Sequence, residues 1–520
     1  MAALRIVATG TSAETRGCRA RRAGTPSARD DMIAPLSRLS GEDLTFWWAD
    51  SPMQPSTMAM LLVLDRMPEW ERLRRAVGRA VAAVPRLRQR VLDAPLDLTL
   101  PHWAPDPTFD LDYHLRRHAL GGRRNLDELF REIAPAYETP FDRSRPLWEA
   151  RMYEGLADGG AAMFFKLHHA VADGVGGNAI FAAMTDCERD DDPAGADPLD
   201  GKGAWVAEGL GTRLVDAVRD RLALDVERAG TVIRTVADSV VHPSRIGQTL
   251  TALRSIVGAL RFDSHSPLKR DAAFGRARRL AGLELPFDEM RRIRHALSGT
   301  MIDTILTVMA RAIGRWHREH GMAAVRELMT LVPVNLRRPE EWTQETAVGN
   351  LATGLLVPLP IQMTHPMATF HEVRRRVEAA KADPAARATP VLSEVLSVLG
   401  RRAVTWMGES AFGAIDFIVT NVPGVLATRY LAGAAITGAY PFAPVALQSP
   451  ASVALYGYRD RLFVGIDADE TVMPDVEAFQ EMIVEAFEEL RAWAGTVAAE
   501  RTPAMSERAA GAEHGPAVGL

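Results

Sequence analysis

The stretch 162-AMFFKLHHAVADGVGG-177 decides the fold and directs attention to one site. Its first six residues are almost wholly apolar, so 162–167 reads as a strand buried on both faces. His168 and His169 end that strand, Asp173 and Gly174 follow within one loop, and 178–185 reads as a helix. An imidazole can take up and release a proton near neutral pH, which suits a base acting on a hydroxyl. Gly174, Gly176 and Gly177 let the backbone turn sharply and approach another group closely.

Two other readings of the same residues stand beside the catalytic one. Neighbouring histidines on an extended chain point to opposite faces, which does not favour a shared metal ion. HExxH is absent, as is any nearby cysteine pair of ligand spacing, so no metal is expected. The second reading is structural, with two core histidines and Asp173 capping the helix that follows.

Working outward, 57–65 (TMAMLLVLD) reads as a strand bounded by Pro55 and Pro68, and 69–84 as a helix with Leu73, Val77, Val81 and Val84 on one face. A long helical pattern spans 205–260. Strands are then expected at 278–284, 328–334, 351–360, 413–420, 452–458 and 461–467, and helices at 286–297, 301–319, 366–382 and 475–495. This alternation in both halves predicts a mixed α/β fold with two domains. The expected division is an arm or misassigned start over 1–31, a first domain over 32–200, a helical crossover over 201–275, a second domain over 276–497 and a flexible tail over 498–520.

Composition narrows the function. The 520 residues are 47% apolar and 24% charged, an ordinary globular balance. A net charge of −5, with only four lysines among the 61 basic residues, argues against a nucleic-acid partner. Two cysteines, Cys18 and Cys187, make no disulfide framework and fit a reducing, cytoplasmic compartment. Residues 430–458 carry no charge, but Pro441, Pro444 and Pro450 interrupt the run, so buried strands and turns are expected there rather than a membrane span. G-x-S-x-G, a dinucleotide fingerprint and a Walker motif are all absent. Without an evident nucleophile, direct transfer to an acceptor is favoured over a covalent enzyme intermediate.

The motif His168-His169-x-x-x-Asp173-Gly174 resembles that of the coenzyme A-dependent acyltransferase superfamily, which includes chloramphenicol acetyltransferases, carnitine acyltransferases and peptide-synthetase condensation domains. Flanking blocks select a branch. Pro35-Leu36-Ser37 with Gly41 and Asp43, Ser51-Pro52-Met53, and 140-PFDRSRPLW-148 resemble the bacterial wax ester synthase/diacylglycerol acyltransferases. So do 333-PVNLR-337, Gly349-Asn350 and 421-NVPG-424, in the expected order over roughly 35–490.

The resemblance implies two chloramphenicol-acetyltransferase-like domains with an active-site channel between them. It implies acyl-CoA as donor substrate, a long-chain alcohol or diacylglycerol as acceptor, and no permanently bound cofactor. His169 would be the general base, His168 a support for local geometry and Asp173 the residue that holds the loop. Gly174 would keep the channel clear. Asn421 is a candidate oxyanion donor, though its NVPG context reads more readily as a turn. Arg143 and Arg145 would contact CoA phosphates or anchor their own segment through salt bridges. Asp303 matches an Asn-Asp pair common in the family, but Ile302 occupies the asparagine position; Asp303 also reads as a helix cap. Such substrates imply work at the cytoplasmic membrane or the surface of lipid inclusions. The alternatives are a divergent transferase with another hydroxyl or amine acceptor and a noncatalytic lipid-binding homologue.

Overall fold

The computed structural model describes residues 37–93, 99–122, 124–157, 159–191, 266–268, 274–335, 352–383, 401–402, 405, 413–445 and 449–512. The expected arm over 1–31 lies outside the described residues, as do most of the crossover over 201–275 and the positions Leu336, Arg337, Gly349 and Asn350.

In chain order the first half contains β1 (Ser37–Arg38), α1 (Gly41–Ala49), β2 (Thr57–Leu64), α2 (Trp70–Ala83), β3 (Gln89–Leu92), β4 (His102–Pro105), α3 (Leu111–His114), β5 (Leu115–Ala119), α4 (Leu126–Glu138), β6 (Trp148–Glu154), β7 (Ala161–His168) and α5 (Gly174–Met184). The second contains β8 (Arg278–Pro286), α6 (Phe287–Ala296), α7 (Met301–Glu319), β9 (Glu327–Asn335), β10 (Ala352–Pro360), α8 (Pro366–Ala382), β11 (Phe417–Val425), β12 (Tyr430–Leu431), β13 (Ala434–Phe442), β14 (Ala451–Tyr458), β15 (Arg461–Asp469) and α9 (Val476–Ala512).

Two six-stranded mixed sheets organise these elements, in the orders β12-β13-β2-β7-β6-β5 and β10-β9-β11-β14-β15-β8. The first corrects the expected division of the chain. Strands β12 and β13 lie within 276–497, yet β13 pairs antiparallel with β2, Tyr440 opposite Leu61 and Phe442 opposite Ala59. A central strand needs ladder partners on both edges, or its backbone N–H and C=O groups go unpaired in the core. For β2 those partners are β7 and a strand from the far end of the chain. The uncharged run 430–458 therefore supplies strands to both sheets.

One apolar core accordingly crosses the halves: Leu280, Tyr456, Tyr458 and Phe463 cluster with the residues of the first sheet. A second core is formed by α7, α8, α9 and the inner face of the second sheet. Where the sheets meet, a side chain at Gly465 would run into the Pro441 carbonyl at 1.7 Å, so glycine is what lets β15 and β13 approach.

Two further expectations change. The segment 421-NVPG-424 is not a turn: it forms the end of β11, with a register shift between Val422 and Val425 that accommodates Pro423. The tail expected from 498 is instead helix as far as Ala512, consistent with its alanine-rich sequence. Among the described residues no single helix is long and apolar enough to cross a membrane.

Candidate active site

Strand β7 is buried along its whole length and ends at the histidine pair. His168 is its last residue, opposite Thr57 of β2. The chain turns there, with the Val171 N–H donating to His168 O at 2.9 Å, so the simple alternation of an extended strand stops at this point. The rings nevertheless occupy different environments. His168 is buried, in edge contact with Trp47 and Phe141, and its Nδ1 accepts the Ala170 N–H at 3.0 Å. That bond assigns the ring proton to Nε2, which stands 3.8 Å from Asp50. His169 is half-buried, its backbone N–H donates to Ser56 O at 2.7 Å, and its ring stacks on Phe46 with centroids 3.8 Å apart.

Asp173 is buried and acts as N-cap of α5, its Oδ1 accepting the Gly176 N–H at 2.8 Å. The capping element of the structural reading is thus present alongside a half-buried, stacked His169. Gly174 meets the other half rather than open space. A Cβ there would lie 2.9 Å from Val422 Cγ2 on β11. Asn178 adds a polar tie across the same seam, donating from Nδ2 to Pro423 O at 2.6 Å.

An arginine also holds the motif loop, through carbonyl oxygens. Arg86 donates to Ala170 O at 3.1 Å and Val171 O at 3.3 Å, and also to the buried Asp43 carboxylate at 3.2 Å. Asp43 in turn completes a capping box with Ser40 at the start of α1. Helix α1 and the histidine loop are therefore tied to one guanidinium.

The remaining expected residues divide. Arg143 donates to Asp50 Oδ2 at 2.8 Å and lies 4.1 Å over the Trp47 ring, while Arg145 lies 4.0 Å over Tyr113 and 3.6 Å from Asp142. Both anchor the DRSRPLW segment. Asn421 lies on β11 opposite Leu455. Asp303 caps α7 through a second capping box, accepting the Thr300 N–H at 2.7 Å, and Ile302 packs against the second core. Asp303 belongs to that helix start, not to the elements that hold the histidines.

Sequence reasoning missed Phe46, Asp50, Ser56, Arg86 and Lys166. Asp50 is the hub of this group, accepting Ser56 N–H and Arg143 Nη2 at 2.8 Å each. Burial pushes its carboxyl up, but His168, Arg143 and the Ser56 N–H together hold it down at about 2. Lys166 is buried two residues before His168 and donates to Ala136 O and Thr139 O at the end of α4. Burial pulls its ammonium down to about 8. The one available sequence signal was Ser40-x-x-Asp43, a capping-box spacing that starts α1 at Gly41 and puts residues 43, 47 and 50 near one side.

Among the described residues no group of three or more His, Cys, Asp or Glu could hold a metal ion.

Residues 39–305 match the family described as wax ester synthase/diacylglycerol acyltransferase catalytic domain, and 348–491 match its C-terminal domain. The chain is 31% identical to a putative diacylglycerol O-acyltransferase of Mycobacterium tuberculosis over 466 residues, 87% of this chain and 91% of that one. A probable diacylglycerol O-acyltransferase of the same species is 26% identical over 423 residues, 80% and 87% of the two chains. Among solved structures, the wax ester synthase/diacylglycerol acyltransferase from Marinobacter aquaeolei matches with a TM-score of 0.60 at 20% identity, over 88% of this chain and 100% of that one. The first condensation domain of the calcium-dependent antibiotic synthetase matches at 0.55 and 18% identity, over 88% and 97%. These two likenesses speak to the fold.

Proposed function

Since the chain belongs to the wax ester synthase/diacylglycerol acyltransferase family and is an acyl-CoA-dependent acyltransferase, we propose that His169 is its general base and a long-chain alcohol or diacylglycerol its acceptor. The observation that carries the assignment to this residue is the contrast within the pair. His168 is buried and its Nδ1 is committed to a backbone N–H, whereas His169 is half-buried and is followed in the same loop by Gly174, which meets β11 of the other half.

In this reading the acceptor hydroxyl gives its proton to His169 as its oxygen attacks the thioester carbonyl. The tetrahedral intermediate collapses with loss of the CoA thiolate, which takes the proton back from the imidazolium. Ester and free CoA leave, and the histidine returns neutral. Base catalysis of this kind contributes about 10²–10⁴-fold, and holding donor and acceptor together adds a separate orientation term. Asp173 holds the loop as a helix cap and takes no proton. The acceptor assignment draws on the diacylglycerol O-acyltransferase activity for which the Mycobacterium relatives are named. Lipid acceptors also favour a site of work at the cytoplasmic membrane or on lipid inclusions.

The test measures CoA release and ester formation with one acyl-CoA and, in turn, hexadecanol, diacylglycerol and a polar alcohol. His169→Ala is expected to lower turnover about 10²–10⁴-fold with little change in CoA binding. Unchanged turnover would remove His169 as base, and turnover confined to the polar alcohol would overturn the acceptor assignment.

A further inference from the structure

We propose that Phe46 is a positioning residue for the proposed base, fixing the plane of the His169 imidazole from one face; this rests on His169 being that base. Helix α1 turns Asp43, Leu44 and Trp47 inward, and these are its buried residues. Phe46 falls off that face. It is half-buried and, among the described residues, belongs to neither apolar core. Its ring instead lies parallel to His169, 13° between planes and 3.8 Å between centroids.

A histidine needs such a partner in this position. The torsion that rotates its ring is broad, so a half-exposed imidazole just past a strand end has no sharply preferred plane of its own. Stacking removes that freedom while leaving in-plane directions to polar partners. Proton transfer is sensitive to this because productive geometry must hold within about 0.5 Å and 10–20°.

Phe46 is itself held by the group that holds the His169 backbone. Ser56 Oγ donates to Phe46 O at 3.1 Å, and the Ser56 carbonyl accepts His169 N–H at 2.7 Å. The Ser56 N–H is fixed by Asp50 Oδ1 at 2.8 Å, and the Asp50 N–H donates to Phe46 O at 3.1 Å. Ring and main chain of His169 are therefore referenced to one unit, the end of α1. Arg86 closes the other side by bonding Asp43 near the start of α1 and the carbonyl oxygens of Ala170 and Val171.

The test compares Phe46→Leu, Phe46→Tyr and His169→Ala in the full chain, reading kcat and KM for acyl-CoA at saturating acceptor. Removing the aromatic face is expected to lower kcat roughly 10-fold or more with KM within about twofold, and tyrosine to restore kcat to within roughly threefold. A second reading is the rate at which diethyl pyrocarbonate modifies His169, located by mass spectrometry. It should rise in Phe46→Leu and stay near the parent rate in Phe46→Tyr at an unchanged urea midpoint. Parent-like kcat in Phe46→Leu, equal losses in the leucine and tyrosine variants, or a loss confined to KM would each overturn the proposal. Full turnover by His169→Ala would instead overturn the base assignment, whereas an inactive His169→Ala beside a fully active Phe46→Leu would sink the positioning role alone.

Discussion

Ser56 and Thr57 are consecutive residues, yet they lead to carboxylates with opposite behaviour. The Ser56 N–H bonds Asp50, which sits under the histidine motif. The Thr57 carbonyl accepts the Tyr137 hydroxyl at 3.0 Å, and beside that hydroxyl lies Asp467 of β15. Burial pushes both carboxyls up, but Asp50 ends at about 2 and Asp467 at about 7. The difference lies in the donors. Asp50 has an arginine and a backbone N–H at 2.8 Å each, with His168 acting through space from 3.8 Å. Beside Asp467, the Tyr137 proton already goes to Thr57 O. Arg278 is shared with Asp469, and the charges of Asp469 and Glu138 oppose ionisation. Among the described residues, Asp467 Oδ1 has no hydrogen-bond partner. One acid is thus an ionised strut, and the other exchanges its proton near neutral pH, a proton that when present can bond the Tyr137 oxygen.

The largest expected effect breaks the first of these. Asp50→Ala leaves a guanidinium and a buried N–H without their acceptor, at a cost of about 2–3 kcal/mol, and releases Ser56 from the His169 backbone. Urea unfolding and kcat should fall together, kcat by roughly 10-fold or more. Asp50→Asn retains an acceptor for Ser56 and should lose less of both. Because the folded carboxyl is depressed from 3.8 to about 2, its contribution is present above the unfolded value and lost as pH falls through the folded one. Parent and Asp50→Asn should therefore converge in stability between pH 4 and pH 2; a constant gap would mean that charge is not what Asp50 supplies.

Asp467→Asn should act with the opposite sign. The folded carboxyl is raised from 3.8 to about 7, so the unfolded chain loses its proton first and stability falls as pH rises across that window. Asparagine keeps a donor for the Tyr137 oxygen and carries no charge to lose. The variant should be more stable than the parent at pH 8, by on the order of 1–3 kcal/mol, with the gap closing toward pH 4. Parallel urea midpoints at pH 5 and pH 8 would show that Asp467 is ionised and compensated throughout.

Neither neighbourhood could be read from the sequence, although much of the frame that carries them could. Strands β2 and β7 stand out as apolar runs, and the spacing of Met301–Glu319 and Pro366–Ala382 sets both helices at their observed bounds. Those signals are local. Asp303 was legible as a cap for the same reason, since its partner Thr300 is three residues away. The β13–β2 pairing was not, because it joins Phe442 to Ala59 across most of the chain and leaves no periodic trace. NVPG misled because proline and glycine favour turns, whereas here a register shift absorbs them within a strand. The histidines were found by their spacing, but Phe46 touches His169 only after the chain folds back, and no pattern in GEDLTFWWAD announces it.

The smallest expected effect asks how much of the Asp50 neighbourhood is charge and how much is shape. Arg143 offers both, with one nitrogen 2.8 Å from Asp50 Oδ2 and its guanidinium plane 4.1 Å over Trp47. Arg143→Lys keeps the positive charge but gives up the planar stack and the fixed fork. An exposed cation–π contact is worth about 0.5–1 kcal/mol, so the urea midpoint should drop by that order while the acid limb from Asp50 stays in place. The kinetic side separates the two roles that the sequence allowed. If Arg143 anchors its segment, as its partners indicate, KM for acyl-CoA should be unchanged and insensitive to salt beyond the parent's own response. A several-fold rise in KM with intact stability would instead place its guanidinium on the phosphates of CoA. It would then follow that Asp50 owes its low value to a residue that leaves when substrate arrives.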